Sequence, residues 1–196
     1  GTKDFLVCAD QYQTYILDRQ GNTRVDITDH FEHSGNDLYL AEGAVPALAT
    51  ADTEGKVHLQ YFDGKSDIRD LGRFGKDHCF VAADLNGDRK TDYILADGHR
   101  LLAFTDQGKK IFERKFNHAV TGPPVVYTLG SGNKKIGVVC RNENKIYLID
   151  HKGEICPGFP LPGNTAFTIG SLTPGNPYFN LLAGSEDGSL LNYKVE

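Results

Sequence analysis

The chain has 196 residues, enough for one good-sized domain with a real core, and carries a net charge of −5 with a pI near 5.8. Its longest basic runs are the Lys pairs at 109–110 and 134–135, both beside turn residues, so the clustered Lys and Arg of a nucleic-acid-binding face are lacking. No apolar stretch approaches the roughly 18 residues of a membrane span.

Short strands follow one another along the chain with a fixed cadence. "TYILDRQG" (14–21), "LQYFDGK" (59–65), "LAFTDQGK" (102–109) and "IYLIDHKG" (146–153) each run from an aromatic or aliphatic strand into Asp and then Gly. The Asp residues are Asp18, Asp63, Asp106 and Asp150, at intervals of 45, 43 and 44. A fifth strand, "LLNYKVE" (190–196), falls at the expected place. Each is preceded by another apolar strand and a tight polar turn, as in "DFLVCADQYQ", "PALATADTEGK", "DYILADGHR", "IGVVCRNENK" and "FNLLAGSEDGS". Asn, Asp and Gly at these tips fit two- to four-residue hairpins.

Earlier still in each unit lies a third strand: "DLYLAEG" (37–43), "CFVAADL" (79–85), "PVVYTLG" (124–130) and "AFTIGSL" (166–172). A looser, more polar one follows the Asp turn: "DIRDLGRF", "KIFERKF" and "EICPGFPL". The unit is therefore four short antiparallel strands in about 44 residues, with no long amphipathic helix. Such a unit cannot bury both faces of its own sheet, and radial stacking of the units predicts an all-β fold, a β-propeller of about five blades. The expected repeats are 3–31, 32–74, 75–118, 119–163 and 164–196, with three, four, four, four and three strands. This count leaves the first and last blades incomplete. With no Met anywhere in the sequence, it predicts either one such propeller domain over 1–196 or a fragment of a larger propeller in a longer protein.

The cadence resembles the quinoprotein-like repeats of bacterial propellers. One stretch adds a second likeness. In "DLNGDRKTDYIL" (84–95), Asp84, Asn86, Asp88 and Asp92 stand at positions 1, 3, 5 and 9 of a calcium loop, with Lys90 offering its backbone carbonyl at position 7. This resembles the FG-GAP repeat of integrin-like propellers, in which such a loop joins the first two strands of a blade. The likeness implies calcium held by Asp84, Asn86, Asp88, Lys90 and Asp92. Arg89 departs from the pattern, since position 6 usually holds Gly for a sharp turn, and Leu95 replaces the Glu of an EF-hand. The sister turns "LGSGNKKIGVV" (129–139) and "LTPGNPYFNLL" (172–182) bear no carboxylates, so the fold does not need a metal there. The alternative is a solvated turn whose acids cap backbone amides.

No Trp is present, and the Trp-bearing blade motifs of quinone-dependent dehydrogenases are absent, so no quinone cofactor is expected. "PGFPLPGNTAFTIGSL" (157–172) is similar to a linker before a blade in secreted proteins of gut bacteria. This implies an extracytoplasmic place, in the periplasm or on the cell surface, although no signal peptide stands at the N-terminus.

Cys8, Cys79, Cys140 and Cys156 have no CxxC spacing, which argues against zinc. Cys8 and Cys140 hold matching places in apolar strands and read as buried free thiols, with disulfides as the alternative. His30 and His33 share a polar connection, and His78 adjoins Cys79 with no evident third catalytic group. Glu42 and Asp84 end inner strands, but Asp84 is engaged by its own loop, so these acids are weak support for a glycosidase pair. Tyr15, Tyr61, Phe104, Tyr147 and Tyr193 recur at fixed repeat positions and read as packing between blades. The expectation is a non-enzymatic binding or scaffolding module for a protein or glycan ligand, with contacts on its loops. The alternative is part of a propeller enzyme, a glycan hydrolase or lyase or quinone-linked, with catalytic groups partly elsewhere.

Overall fold

The computed structural model of the chain describes residues 5–172 and 178–195. Among them, eighteen strands form five small antiparallel sheets, each a meander in chain order. Sheet one holds β1 (Leu6–Ala9), β2 (Thr14–Leu17) and β3 (Thr23–Val25). Sheet two holds β4 (Tyr39–Ala41), β5 (Ala47–Ala51), β6 (Val57–Tyr61) and β7 (Ser66–Arg69). Sheet three holds β8 (Cys79–Ala83), β9 (Asp92–Asp97), β10 (Arg100–Phe104) and β11 (Lys110–Lys115). Sheet four holds β12 (Val125–Leu129), β13 (Asn133–Cys140), β14 (Lys145–Asp150) and β15 (Leu161–Pro162). Sheet five holds β16 (Thr168–Gly170), β17 (Phe179–Gly184) and β18 (Leu190–Val195).

Strand alternation sends successive side chains to opposite faces, so each middle sheet can bury two faces at once. Sheet two turns Ala41, Ala47, Ala49, Val57 and Leu59 toward sheet three, which answers with Phe80, Tyr93, Leu95, Leu102 and Phe104. Small residues on one face thus receive large rings from the next. The opposite face of sheet three sets Val81, Ile94, Leu101 and Phe112 against Ile136, Val138, Tyr147 and Ile149 of sheet four. Val139, Ile146 and Leu148 then pack on Leu181 and Ala183 of sheet five. Ile16 and Ile27 meet Leu48 between sheets one and two. Each such fully buried aliphatic contributes about 1.5–3 kcal/mol.

Among the described residues the two end sheets have no such neighbour on their outward faces. Leu6 on β1 is 57% exposed and Leu190 on β18 is 71% exposed, and no core cluster among the described residues joins the end sheets. Of the recurrent aromatics, Phe104 and Tyr147 are buried, while Tyr15, Tyr61 and Tyr193 are half-buried. One sequence expectation fails here. Cys8 is exposed on the end sheet, whereas its counterpart Cys140 lies buried between sheets three and four; all four cysteines are free thiols.

The repeated Asp-to-Gly turns have a plain physical cause. Asp18 Oδ1 accepts from the backbone amides of Gln20 and Asn22, and Asp150 Oδ1 accepts from those of Lys152 and Glu154. In sheet three Thr105 holds that capping place, its Oγ1 accepting from Lys109 N, with Asp106 one residue on. The turn glycines Gly21, Gly64, Gly108 and Gly153 all sit at positive φ, between +78° and +87°, where a Cβ is disfavoured.

Candidate functional site

The loop between β8 and β9 curls around Asp84. Asp84 Oδ1 accepts from Gly87 N at 2.7 Å, and Oδ2 accepts from Arg89 N at 2.9 Å. Asn86 Oδ1 accepts from Asp88 N, and Asp88 Oδ1 accepts from Lys90 N, each at 2.8 Å. The Asn86 amide donates to Asp88 Oδ2 at 3.2 Å. At the base, Asp92 is 1% exposed and its Oδ2 accepts from Leu85 N at 3.0 Å. Burial pushes the Asp92 carboxyl up to about 6, and the charges of Asp88, Asp84 and Asp106 add to the rise.

Arg89 takes φ +65°, the left-handed backbone that a Gly would adopt without strain, and Gly87 stands at +82°. The loop therefore makes its sharp turn with an arginine. Its oxygen donors are of the hard type that suits calcium. In the arrangement seen, however, the carboxylates of Asp84 and Asp88 are turned onto backbone amides. No three His, Cys, Asp or Glu side chains among the described residues converge as a metal-ligand set. The sister turn at 129–139 makes the same connection through the short 3-10 turn Gly130–Gly132. The other, at 172–182, lies partly outside the described residues.

The loop's last residues stitch sheet three to sheet two. Thr91 Oγ1 accepts from Glu42 N at 2.8 Å, and Thr91 N donates to Glu42 O at 3.3 Å. Beside this seam a cleft of about 650 Å³ opens between the two sheets, bordered by Glu42, Val45, Tyr61, Arg69, Lys90 and Asp106. Its charges are largely matched: Lys65 pairs with Asp63 at 3.0 Å, Arg69 with Asp67 at 2.5 Å, and Lys90 lies 4.0 Å from Asp106. Val45, 62% exposed, stands at its rim. Such a lining offers hydrogen bonds and an apolar rim to a surface laid across it.

A second polar cluster lies between sheets one and two. His58 on β6 is buried, with Nδ1 2.9 Å from Asp29 Oδ2 and Nε2 3.3 Å from Asp52 Oδ2. Phe31 stacks on its ring at a centroid distance of 3.5 Å, and His33 leans on Phe31 at 4.3 Å. Burial, and then the neighbouring His58, hold the His33 imidazole below its ordinary value. The group's members lie far apart in the sequence, from Asp29 to His58. Its one legible trace is polar Thr50, His58 and Gln60 alternating with the apolar residues of β5 and β6.

The remaining candidates are scattered. His30 is not joined to His33 by any described contact. His78 bonds through Nδ1 to Gly75 O at 2.7 Å, and burial raises the Cys79 thiol, which disfavours a thiolate nucleophile.

No family model matches the sequence, and no curated protein matches it. Solved structures do. The computationally designed Ika4 protein is similar at TM-score 0.53 and 10% identity, over 90% of this chain and 99% of that one. BBS1N, a propeller solved in complex with ARL6DN, is similar at TM-score 0.60 and 13% identity. The match takes in 96% of this chain but 60% of BBS1N, so the chain spans about three-fifths of that protein's length. A streptogramin B lyase reaches TM-score 0.48, too loose to bear on function. At these identities the likeness supports a propeller-like all-β fold and nothing finer.

Proposed function

We propose that the chain is a non-enzymatic binding or scaffolding module of a β-propeller, and that it presents a protein or glycan ligand with the cleft between sheets two and three. The observation that carries this reading is the cleft itself. Its walls are two packed sheets, three of its acids (Asp63, Asp67 and Asp106) are paired with cations, and the 84–92 loop is sewn to its edge through Thr91 and Glu42. A cleft of mostly paired charges with an exposed valine at its rim suits recognition of a surface. BBS1N being solved with a protein bound is in keeping with it.

Calcium at Asp84, Asn86, Asp88, Asp92 and the Lys90 carbonyl belongs to the same proposal, as a stiffener of the cleft's edge. The crowding of Asp84 and Asp88 around buried Asp92 supports it, because a divalent cation relieves that repulsion. Binding would exchange amide bonds of the loop carboxylates for metal bonds. A loop without the bidentate Glu of an EF-hand falls at the weak end of calcium sites, which suits the calcium-rich exterior of a cell and a periplasmic or surface place.

The test is site-directed crosslinking. A photoreactive residue at Val45 is expected to give one defined adduct from an extract of the producing cells, lost in Lys65→Glu and absent when the probe stands instead at exposed Ile68 on β7. Turnover of a glycan that disappears in Glu42→Gln or Asp106→Asn would replace this reading with the enzymatic one.

A further inference from the structure

We propose that the crossover from sheet one to sheet two, residues 26–36, is an acid-operated latch: it holds the first sheet on the second at neutral pH and lets go as the pH falls. Its place follows from backbone bonds made in both directions. Phe31 N and His33 N donate to Tyr12 O and Gln11 O at the tip of the β1–β2 hairpin, at 3.2 and 2.9 Å. Ser34 N donates to Ala51 O at 3.3 Å, and Thr53 N to Glu32 O at 3.0 Å, at the tip of the β5–β6 hairpin. His33 stands opposite Asp52 in an isolated antiparallel bridge. The segment ties one hairpin tip to the other, so whatever loosens it loosens the contact between the sheets.

The seam that this segment closes is polar. Strand alternation sends Thr14 with Ile16 from sheet one, and Leu48 with Thr50 and His58 with Gln60 from sheet two, into the same space, and all six are buried. Among the described residues its buried apolar side chains are Ile16, Ile27 and Leu48, whereas the seam between sheets two and three holds twelve, Phe80, Tyr93, Leu95 and Phe104 among them. Apolar burial therefore does less here, and the polar groups decide more.

Four titratable groups face the half-buried His33: His58 on β6, Asp10 at the tip of the β1–β2 hairpin, Asp29 in the crossover and Asp52 across the bridge, with Glu32 beside it in the chain. The acids are already engaged. Asp29 and Asp52 hold the His58 ring, Asp10 accepts from the amides of Tyr12 and Gln13 and from the Tyr15 hydroxyl, and Glu32 accepts from the Gln11 side chain. His33 Nε2 is buried with no hydrogen-bond partner. Burial, and then His58, hold this imidazole below its ordinary 6.5, ahead of the opposite pull of Asp10 and Asp29. The closed latch therefore favours the neutral ring. Its stability is full above 6.5 and is lost as the pH falls, because the opened segment takes the proton first.

The experiment is hydrogen exchange followed amide by amide by NMR at about pH 7.5 and about pH 5, expressed as protection so that the pH dependence of the chemical step cancels. The amides of Phe31, His33 and Ser34 and those of β2 are expected to lose protection together at the lower pH, by at least about threefold, while those of β13 and β14 keep or gain theirs. His33→Phe supplies a ring that keeps the contact with Phe31 and takes no proton, and is expected to hold the crossover's protection at both pH values. His33→Leu is expected to do the same with a smaller side chain. Unchanged protection of the crossover in the parent, an equal loss in sheets one to four, or a parent-like loss in both His33 variants would overturn the proposal.

Discussion

Arg114 on β11 donates from Nε to the backbone carbonyl of Gly153, 2.8 Å away in the turn of the following sheet. Arg69 on β7 does the same one blade earlier, reaching Asp106 O at 3.1 Å. The last strand of one sheet thus grips the Asp-turn of the next. The turn glycine must be bare for this: a Cβ on Gly153 would lie 2.5 Å from the Phe112 ring.

Removing either half of this tie should therefore loosen neighbouring blades. Arg114→Ala is expected to cost about 1.5–3 kcal/mol, as a charged donor to a carbonyl is lost. Gly153→Ala combines a ring clash with a left-handed residue and is expected to cost about 3 kcal/mol. Gly21→Ala meets no atom within 4 Å and should show only the backbone strain of about 1 kcal/mol. Urea unfolding of the three variants checks the order.

Arg89 makes a separate prediction about backbone strain. Its φ of +65° is one that glycine tolerates, so Arg89→Gly should stabilise the metal-free chain by about 1 kcal/mol. A destabilised variant would mean that the arginine side chain holds the loop.

The His58 cluster should behave as a buried unit. His58→Ala removes the ring that joins the Asp29 and Asp52 carboxylates, while Asp52 Oδ1 keeps the amides of Glu54 and Lys56. It is expected to cost about 1.5–3 kcal/mol in chemical denaturation, the worth of a hydrogen bond to a charged group. A loss below 1 kcal/mol would show that water replaces the ring.

Asp92 sets a pH dependence whose sign is fixed by its raised carboxyl. Its folded value near 6 exceeds the ordinary 3.8, so the proton is held more tightly in the fold. The contribution is full below the ordinary value and disappears as pH rises through about 6, an effect on the order of 3 kcal/mol. Metal-free protein should lose this stability between about pH 4 and pH 6, and Asp92→Asn should flatten the curve across that window.

The repeat was legible because it rests on local chemistry. Asp18 and Asp150 cap their turns within four residues, and the glycines mark the left-handed backbone, so the period and the sheet composition could be read along the chain. The 84–92 curl was legible for the same reason. Other features depend on stacking. Asp29 and His58 are 29 residues apart and meet only once sheets one and two pack. Cys8 looks like Cys140 in its strand and differs because, among the described residues, nothing packs over that face of sheet one.

The most direct measurement is thermal unfolding with calcium and with chelator, on this chain and on Asp88→Ala. Ligand that binds only the native state adds about 2.7 kcal/mol at a hundredfold excess over its dissociation constant. The expected result is a calcium-dependent rise in melting temperature that the variant loses. Equal melting in calcium and chelator for both proteins would contradict it, and would leave Asp84, Asn86 and Asp88 as caps of a polar turn.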